Sequence, residues 1–178
     1  MTDTLPDLRV DLLAPSRSVS AQLAEILIET VAAGGSVGFM HPVTLDDALT
    51  FWNKALEAAQ RGERLVLGAW SGPRLLGTVS VLLDTPVNQP HRAEIAKMMT
   101  RPDARGRGAA TALLRRAETL AAERGRTLLI LDTASDGGAS RLYERLGYTF
   151  AGELPDYALK PHGGLTGTRL YYKRLALT

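Results

Sequence analysis

The sequence of 178 residues contains no cysteine. This absence excludes disulfide bonds, thiolate metal sites and a cysteine acyl-enzyme. Histidine is also scarce, and the three present, His41, His91 and His162, lack the spacing typical of metal ligands. We therefore expect a protein that works without a bound metal.

Long hydrophobic runs and a strong net charge are lacking as well. No stretch approaches the run of about 18 apolar residues that a membrane helix needs, and residues 1–6 do not resemble a signal peptide. The formal net charge of +2 is too small to favour nucleic acid or a membrane surface as a partner. We expect a cytoplasmic protein that binds neither.

The composition is that of an ordinary globular protein, with 45% hydrophobic and 22% charged residues. Its length is sufficient for a well-packed core and predicts a single domain spanning residues 1–178.

The hydrophobic periodicity predicts eleven elements, in the order strand, two helices, three strands, helix, strand, helix and two strands. The pattern places strands at 8–14, 63–70, 74–83, 93–100, 127–133, 148–154 and 167–175, and helices at 20–33, 44–61, 109–124 and 135–147. Thr44 and Ser135 are the predicted caps of the second and fourth helices, and residues 155–166 are expected to form a loop. This order predicts an α/β fold with a mixed sheet and helices on both faces.

The most informative stretch lies between the fourth strand and the third helix, at residues 97–111. Gly106 and Gly108 would let backbone N–H groups approach a ligand, and the helix start supplies further free N–H groups. With the charges of Arg105 and Arg107, this loop predicts a phosphate or pyrophosphate site; a strand–helix turn that needs glycine only for its own geometry is the alternative. The run does not fit the patterns of nucleoside-triphosphatase or dinucleotide-binding loops.

Two motifs resemble those of the GNAT superfamily of N-acetyltransferases. Arg105-x-x-Gly108-x-Ala110 is similar to the R/Q-x-x-G-x-G/A loop that binds acyl-CoA, and residues 139–148 are similar to the second signature, A-x-x-x-Y-x-x-x-G-F/Y. The resemblance implies a mixed, mostly antiparallel sheet with splayed central strands, and acetyl-CoA as co-substrate. The cofactor-binding residues it implies are Met98, Met99, Thr100, Arg105, Gly106, Arg107, Gly108, Ala109, Ala110 and Thr111, with the first three acting through their backbone.

Acetyl transfer also needs groups that move protons, and three candidates are Glu94, Asp132 and Tyr143. The resemblance assigns Tyr143 to the departing thiol, while the two carboxylates could take a proton from the amine. Each residue also has a structural interpretation: Glu94 as a solvated strand end, Asp132 as a turn carboxylate, and Tyr143 as a packing aromatic. Asp136 stands where many superfamily members have Asn, so we assign it no binding role.

Three segments, at residues 29–40, 88–94 and 152–157, resemble the tabtoxin-resistance branch of the superfamily. This resemblance implies that the acceptor is the primary amine of a small, amino-acid-like molecule, acetylated directly within a ternary complex. Acetylation of a protein or peptide, and a non-catalytic domain that senses acyl-CoA, remain alternatives. The sequence leaves open whether the protein is a monomer or a homodimer.

Overall fold

The computed structural model describes residues 7–176, which form one seven-stranded sheet with helices on both faces. Residues 1–6, for which the sequence predicted no signal peptide, and residues 177–178 lie outside the described part. The strands are β1 (Arg9–Leu12), β2 (Arg64–Ser71), β3 (Arg74–Leu82), β4 (Arg92–Thr100), β5 (Leu128–Ala134), β6 (Thr149–Leu159) and β7 (Leu165–Arg174). The helices are α1 (Arg17–Ala32), α2 (Leu45–Gln60), α3 (Ala109–Ala122) and α4 (Ser140–Arg145), with a 3₁₀ turn at Pro102–Ala104.

The strands lie in the order β1-β2-β3-β4-β5-β7-β6, and every neighbouring pair is antiparallel except β4 and β5. The chain order of the elements is the one that the sequence predicted. The α/β fold class with a mixed, mostly antiparallel sheet is thus confirmed.

The central strands β4 and β5 separate soon after they meet. Their pairing is limited to Arg92 with Leu128, Ala93 with Leu129 and Glu94 with Ile130. Both strands then continue, β4 to Thr100 and β5 to Ala134, without pairing to each other. The sheet therefore opens into a gap at the carboxyl ends of its two parallel strands.

A β-bulge in β4 lies beside this gap. Ser80 of β3 pairs with Ala96, whereas Thr78 pairs with Met99, so three steps along β4 match two along β3. Lys97 takes up the extra residue and has a φ of 51°, a conformation that is uncommon for a residue with a side chain. The bulge turns the end of β4 towards the gap.

Each face of the sheet has its own hydrophobic core. Helices α1 and α2 cover one face, where Leu27 and Trp52 pack with Val66. Helices α3 and α4 cover the other face, where Leu113 packs in the same cluster as Leu129. At roughly 25 cal/mol per Å² of buried apolar surface, these two cores supply most of the stabilisation of the fold.

The helix ends agree only in part with the sequence prediction. Thr44 caps α2 by accepting a hydrogen bond from Asp47 N (3.1 Å), as predicted. Helix α1 begins earlier than predicted, because the Ser16 hydroxyl caps it by accepting from Val19 N (3.1 Å). The prediction that Ser135 caps the fourth helix is wrong, because α4 begins only at Ser140 and has no side-chain cap.

The prediction of a loop at residues 155–166 is also wrong over most of its length. Strand β6 continues to Leu159, so Tyr157 lies within it, and only residues 160–164 connect it to β7. The ladder with β7 is irregular between Leu154 and Ala158, where β6 has extra residues. Pro155 is tolerated there because it lies in a bulge of an edge strand, where its missing N–H breaks no ladder bond.

Candidate active site

A cavity of about 1170 Å³ occupies the gap between β4 and β5. The ends of these strands form its floor, and the start of α3 and the α1–α2 connection form two of its walls. All thirteen residues that the sequence singled out for catalysis or cofactor binding line it: Glu94, Met98, Met99, Thr100, Arg105, Gly106, Arg107, Gly108, Ala109, Ala110, Thr111, Asp132 and Tyr143. The fold thus brings together residues that are up to 49 positions apart in the chain.

The glycine-rich loop presents backbone N–H groups to this cavity. Gly106 and Gly108 have φ angles of 72° and 91°, and a Cβ added to either would meet no protein atom within 4 Å. The first helical hydrogen bond of α3 is from Ala112 N to Gly108 O (3.0 Å), so the N–H groups of Ala109, Ala110 and Thr111 have no partner within the helix. Open space in front of unpaired N–H groups at a helix N-terminus suits an anionic phosphate.

The end of β4 offers a second row of backbone groups. Beyond Glu94 this strand has no ladder partner on its β5 side, so N–H and C=O groups of residues 98–100 along that edge are available to a ligand. The side chain of Met99 is only 2% exposed and belongs to the α1–α2 core, and Met98 packs against the opposite core. The two methionine side chains therefore fill space, while their backbone borders the cavity.

The two candidate carboxylates lie on the same side of the sheet. Glu94 pairs with Ile130, and Asp132 is two residues further along β5, so both side chains point from the same face. The hydroxyl of Thr168, on β7, donates a hydrogen bond to Asp132 Oδ2 (2.7 Å) and fixes the orientation of that carboxylate. Thr168 was not identified from the sequence, since its relation to Asp132 depends on the pairing of β5 with β7.

Tyr143 is buried in the middle of α4, with the centroid of its ring 5.8 Å from that of Tyr148 and 6.0 Å from that of Tyr171. Burial, with a smaller contribution from the negative charge of Asp132, raises the pKa of Tyr143 to about 12. Its phenol is therefore neutral near pH 7 and can donate a hydrogen bond into the cavity. A neutral donor can stabilise a departing thiolate.

Sequence reasoning missed Lys97, which lines the same cavity. The Nζ atom lies 5.6 Å from the centroid of the Phe51 ring, within the range of a cation–π contact. Burial lowers the pKa of Lys97, and the negative charges of Asp132 and Glu94 counteract part of this effect. A lysine within a mostly apolar strand is a sequence signal, but the bulge that orients it depends on the pairing with β3.

Two distant parts of the chain, the α1–α2 connection (residues 33–44) and the β6–β7 turn (residues 160–164), contact each other beside the cavity. His41 N donates to Pro161 O (2.9 Å), and Nε2 of His162 lies 3.0 Å from Ala32 O. The two imidazole rings are also in contact, with centroids 4.5 Å apart and planes inclined by 45°. The contact between His41 and His162 could not be predicted, since no local pattern links them.

Arg101 holds the adjoining helix in place. Its buried guanidinium donates to Leu75 O (2.8 Å), to Glu25 (2.8 Å) and to Glu29, so the last turns of α1 are fixed to the end of β4. The helix end leads directly into the residues 33–38 that line the cavity.

Asp136, which stands where many superfamily members have Asn, makes contacts with other side chains of the protein. Its carboxylate accepts a hydrogen bond from Thr166 (3.0 Å) and lies 3.4 Å from Lys160 Nζ. The hydrogen bond from Thr166 is the main reason that the pKa of Asp136 is lowered. These contacts tie the β5–α4 loop to the β6–β7 hairpin and are consistent with the absence of a binding role.

Two kinds of feature are absent from residues 7–176. This part of the chain contains no group of three or more His, Cys, Asp or Glu arranged to hold a metal ion. In the same residues no helix combines the length and apolar character needed to cross a membrane.

Comparison with known proteins gives consistent results. The family model described as the Acetyltransferase (GNAT) family matches residues 35–148, which include both motifs and the residues Glu94, Asp132 and Tyr143. Among solved structures, yncA of Salmonella typhimurium, described as an acetyltransferase with its cofactor acetyl-CoA, superposes with a TM-score of 0.77 at 20% identity, over 95% of each chain.

Two further structures are similar in fold but have different names. The ribosomal-protein-alanine N-acetyltransferase of Brucella melitensis gives a TM-score of 0.77 at 23% identity, covering 93% of this chain and 99% of its own. A protein assigned as a phosphinothricin N-acetyltransferase gives 0.76 at 19% identity, covering 94% and 99%. Because the family model spans more than half of the chain and its matched segment carries the loop and most of the residues that line the cavity, the chain belongs to the GNAT family of acetyltransferases.

Proposed function

We propose that this acetyltransferase moves the acetyl group of acetyl-CoA to the primary amine of a small molecule, by direct transfer within a ternary complex. The observation that carries the proposal is the convergence on one cavity of the glycine-rich loop, two carboxylates and a neutral tyrosine. In this proposal residues 105–111 bind the pyrophosphate and the backbone of residues 98–100 binds the thioester and the adjoining amides. The whole chain is treated as one acetyltransferase domain.

The proposed chemistry divides between the two ends of the cavity. Glu94 or Asp132 takes a proton from the incoming ammonium, directly or through water, and the free amine attacks the thioester carbon. As the C–S bond breaks, Tyr143 donates a hydrogen bond to the departing thiolate, and the second proton of the attacking nitrogen passes to water or to that thiolate. With a pKa of about 12, full proton transfer from Tyr143 to a thiolate of pKa near 8.5 is uphill by roughly 5 kcal/mol. Hydrogen bonding is therefore the proposed role of Tyr143.

The contacts of His41 and His162 join the α1–α2 connection to the β6–β7 hairpin, and both of these segments contribute residues to the cavity wall. An enzyme acting on a protein N-terminus needs an open groove for the rest of the chain, and a wall built from two joined segments favours a small acceptor instead. The segments that resemble the tabtoxin-resistance branch, residues 29–40 and 152–157, include parts of the cavity wall, so an amino-acid-like toxin or antibiotic is the acceptor we favour. Cytoplasmic location and a monomeric or homodimeric state stay predictions.

Acetyl transfer measured over a panel of amines tests the proposal. The panel contains amino acids, amino-acid-like antibiotics, polyamines, and peptides with free N-termini or lysines, each with acetyl-CoA and mass-spectrometric detection of the product. We expect turnover with small amines and little with peptides. Preferential acetylation of peptides would favour the protein acetyltransferase, and acetyl-CoA binding without transfer to any amine would favour an acyl-CoA sensor.

A further inference from the structure

Lys97 is a cation at the proposed acceptor end of the cavity, close in sequence and in the sheet to the carboxylates that would receive an ammonium, whereas Arg105 and Arg107 belong to the glycine-rich loop. The bulge in β4 sets its φ at 51°, and Lys97 lines the cavity together with Glu94 and Asp132. Non-glycine residues are seldom held in this conformation unless the surrounding structure requires it. The β3–β4 pairing thus fixes Lys97 at the point where the sheet opens.

The surroundings of the Lys97 ammonium restrict its access to water. Its Nζ atom lies over the ring of Phe51, and a Cβ placed on Gly38 would come within 3.3 Å of it. The Phe51 ring in turn makes an edge-to-face contact with the Phe39 ring, with the two centroids 5.2 Å apart. The charge is therefore enclosed between α2 and the α1–α2 connection on one side and the cavity on the other.

This charge has no close anionic partner in the described part of the chain. Across residues 7–176, no carboxylate lies within 4.0 Å of Lys97 Nζ and no acceptor forms a hydrogen bond with it. Arg64, Glu94 and Asp132 are the charged groups that act on it electrostatically, and the positive charge of Arg64 disfavours the ammonium. A half-buried cation without a hydrogen-bond acceptor is costly unless a ligand supplies one.

We propose that Lys97 binds the carboxylate, or an equivalent anionic group, of an amine substrate, so that the acceptor is a zwitterionic, amino-acid-like molecule. This inference rests on the proposed function and specifies its substrate class. The cavity holds the two carboxylates for the ammonium end and Lys97 for the anionic end, a pattern of charges that complements a zwitterion. A polypeptide N-terminus or an internal lysine carries no carboxylate next to its amine and would leave Lys97 unpaired.

The test uses matched pairs of acceptors, each an amino acid and its carboxamide, assayed with acetyl-CoA. We expect the parent protein to prefer the acid of the best pair in kcat/KM by roughly ten- to a hundredfold, the range of a hydrogen bond to a charged group. In Lys97→Met the preference should fall to about onefold, mainly through a higher KM for the acid, and Lys97→Arg should restore part of it. Lys54→Met, which removes an exposed lysine of α2 outside the cavity wall, is the matched control and should keep the parental preference.

A measurement on the parent protein keeps the proposal testable if Lys97→Met does not fold. The des-amino carboxylic acid of the best acceptor should compete with that acceptor, and its inhibition constant should rise as the pH approaches the pKa of Lys97. Because burial lowers that pKa, the loss of inhibition should begin at a lower pH than for an ordinary lysine. A pH-independent inhibition constant, or an acid preference that survives in Lys97→Met, would overturn the role of Lys97 while leaving the acetyltransferase proposal intact. If the parent acetylates no small amine at all, both proposals fail.

Discussion

The two ends of the cavity consist of different chemical groups, backbone at one end and side chains at the other. The proposed cofactor end consists of backbone: two glycines with positive φ, the free N–H groups at the start of α3, and the unpaired edge of β4. The proposed acceptor end consists of side chains from separate elements, among them Glu94 and Lys97 on β4 and Asp132 on β5. A backbone site depends on a local conformation that a short motif specifies, whereas a side-chain site depends on how distant segments meet.

The comparison predicts that a single change at the cofactor end is the most damaging. Gly108→Val places a branched side chain at a φ of 91°, where a residue other than glycine costs about 1–2 kcal/mol, and fills the space in front of the helix N-terminus. We expect acetyl-CoA binding to fall below detection in titration calorimetry.

Gly125→Val is the matched control. Gly125 lies at the other end of α3 with a φ of 73°, equally open space around it and no contact with the cavity. This variant should have a comparably lowered melting temperature and normal acetyl-CoA binding. If Gly108→Val titrates as the parent does, residues 105–111 are not the phosphate site.

The carboxylates should give the next largest effect. An amine of pKa near 9 is about 99% protonated at pH 7, and removing its proton costs about 2.7 kcal/mol. Glu94→Gln and Asp132→Asn should therefore lower kcat/KM with a small amine, typically by 10²–10⁴-fold for a general base. The loss should be greatest on the acidic side of the pH–rate profile and should shrink as rising pH supplies free amine.

Asp136→Asn serves as the control for these variants, because Asp136 is an exposed carboxylate that does not itself line the cavity and is paired with Thr166 and Lys160. It should change the rate little. Near-parental rates in both Glu94→Gln and Asp132→Asn would show that the proton leaves through water alone.

Tyr143→Phe tests the leaving-group side and should have a smaller effect. A hydrogen bond to a charged group contributes about 1.5–3 kcal/mol, so kcat should fall roughly ten- to a hundredfold, with acetyl-CoA affinity nearly unchanged. Raising the pH should rescue little, because the missing donor acts on sulfur and not on the amine. Tyr148→Phe, on the neighbouring ring 5.8 Å away, is the control for packing; an equal loss of kcat in both variants would argue for a structural role of Tyr143.

The last prediction is that acetyl-CoA alone leaves the mass of the protein unchanged. The sequence has no cysteine, and the proposed direct transfer forms no covalent intermediate. Intact-mass analysis after mixing with acetyl-CoA alone should show no added acetyl group. An adduct that forms stoichiometrically and decays at the turnover rate would contradict direct transfer.

What could be predicted from the sequence follows the same division. The order of the elements, the Thr44 cap and the left-handed glycines of residues 105–111 are local properties, and periodicity or a motif specifies each of them. Tyr143 could be selected because the superfamily resemblance fixed its position along the chain, and Glu94 and Asp132 because each lies on one of the two strands predicted to border the gap. Their roles stay predictions.

The remaining features depend on contacts between distant segments. The orientation of Lys97 requires the β3–β4 bulge, and the hydrogen bond from Thr168 to Asp132 requires the β5–β7 register. Strand β6 extends past Pro155 only because β7 pairs with residues on both sides of a bulge. A local sequence pattern does not specify which distant residues become partners, so these features can be identified only from the three-dimensional structure.

The short pairing between β4 and β5 also has a thermodynamic meaning. Only three residue pairs of the strand ladder connect the β1–β4 part of the sheet to the β5–β7 part. Ladder hydrogen bonds therefore contribute little to holding these two parts together. A ligand lying in the gap would act as a removable strand that adds to this connection while it is bound. By mass action such a ligand adds RT ln(1 + [L]/Kd) to the unfolding free energy, about 2.7 kcal/mol at 100 times Kd. The resistance of the two parts to separation would then depend on the concentration of acetyl-CoA around the protein.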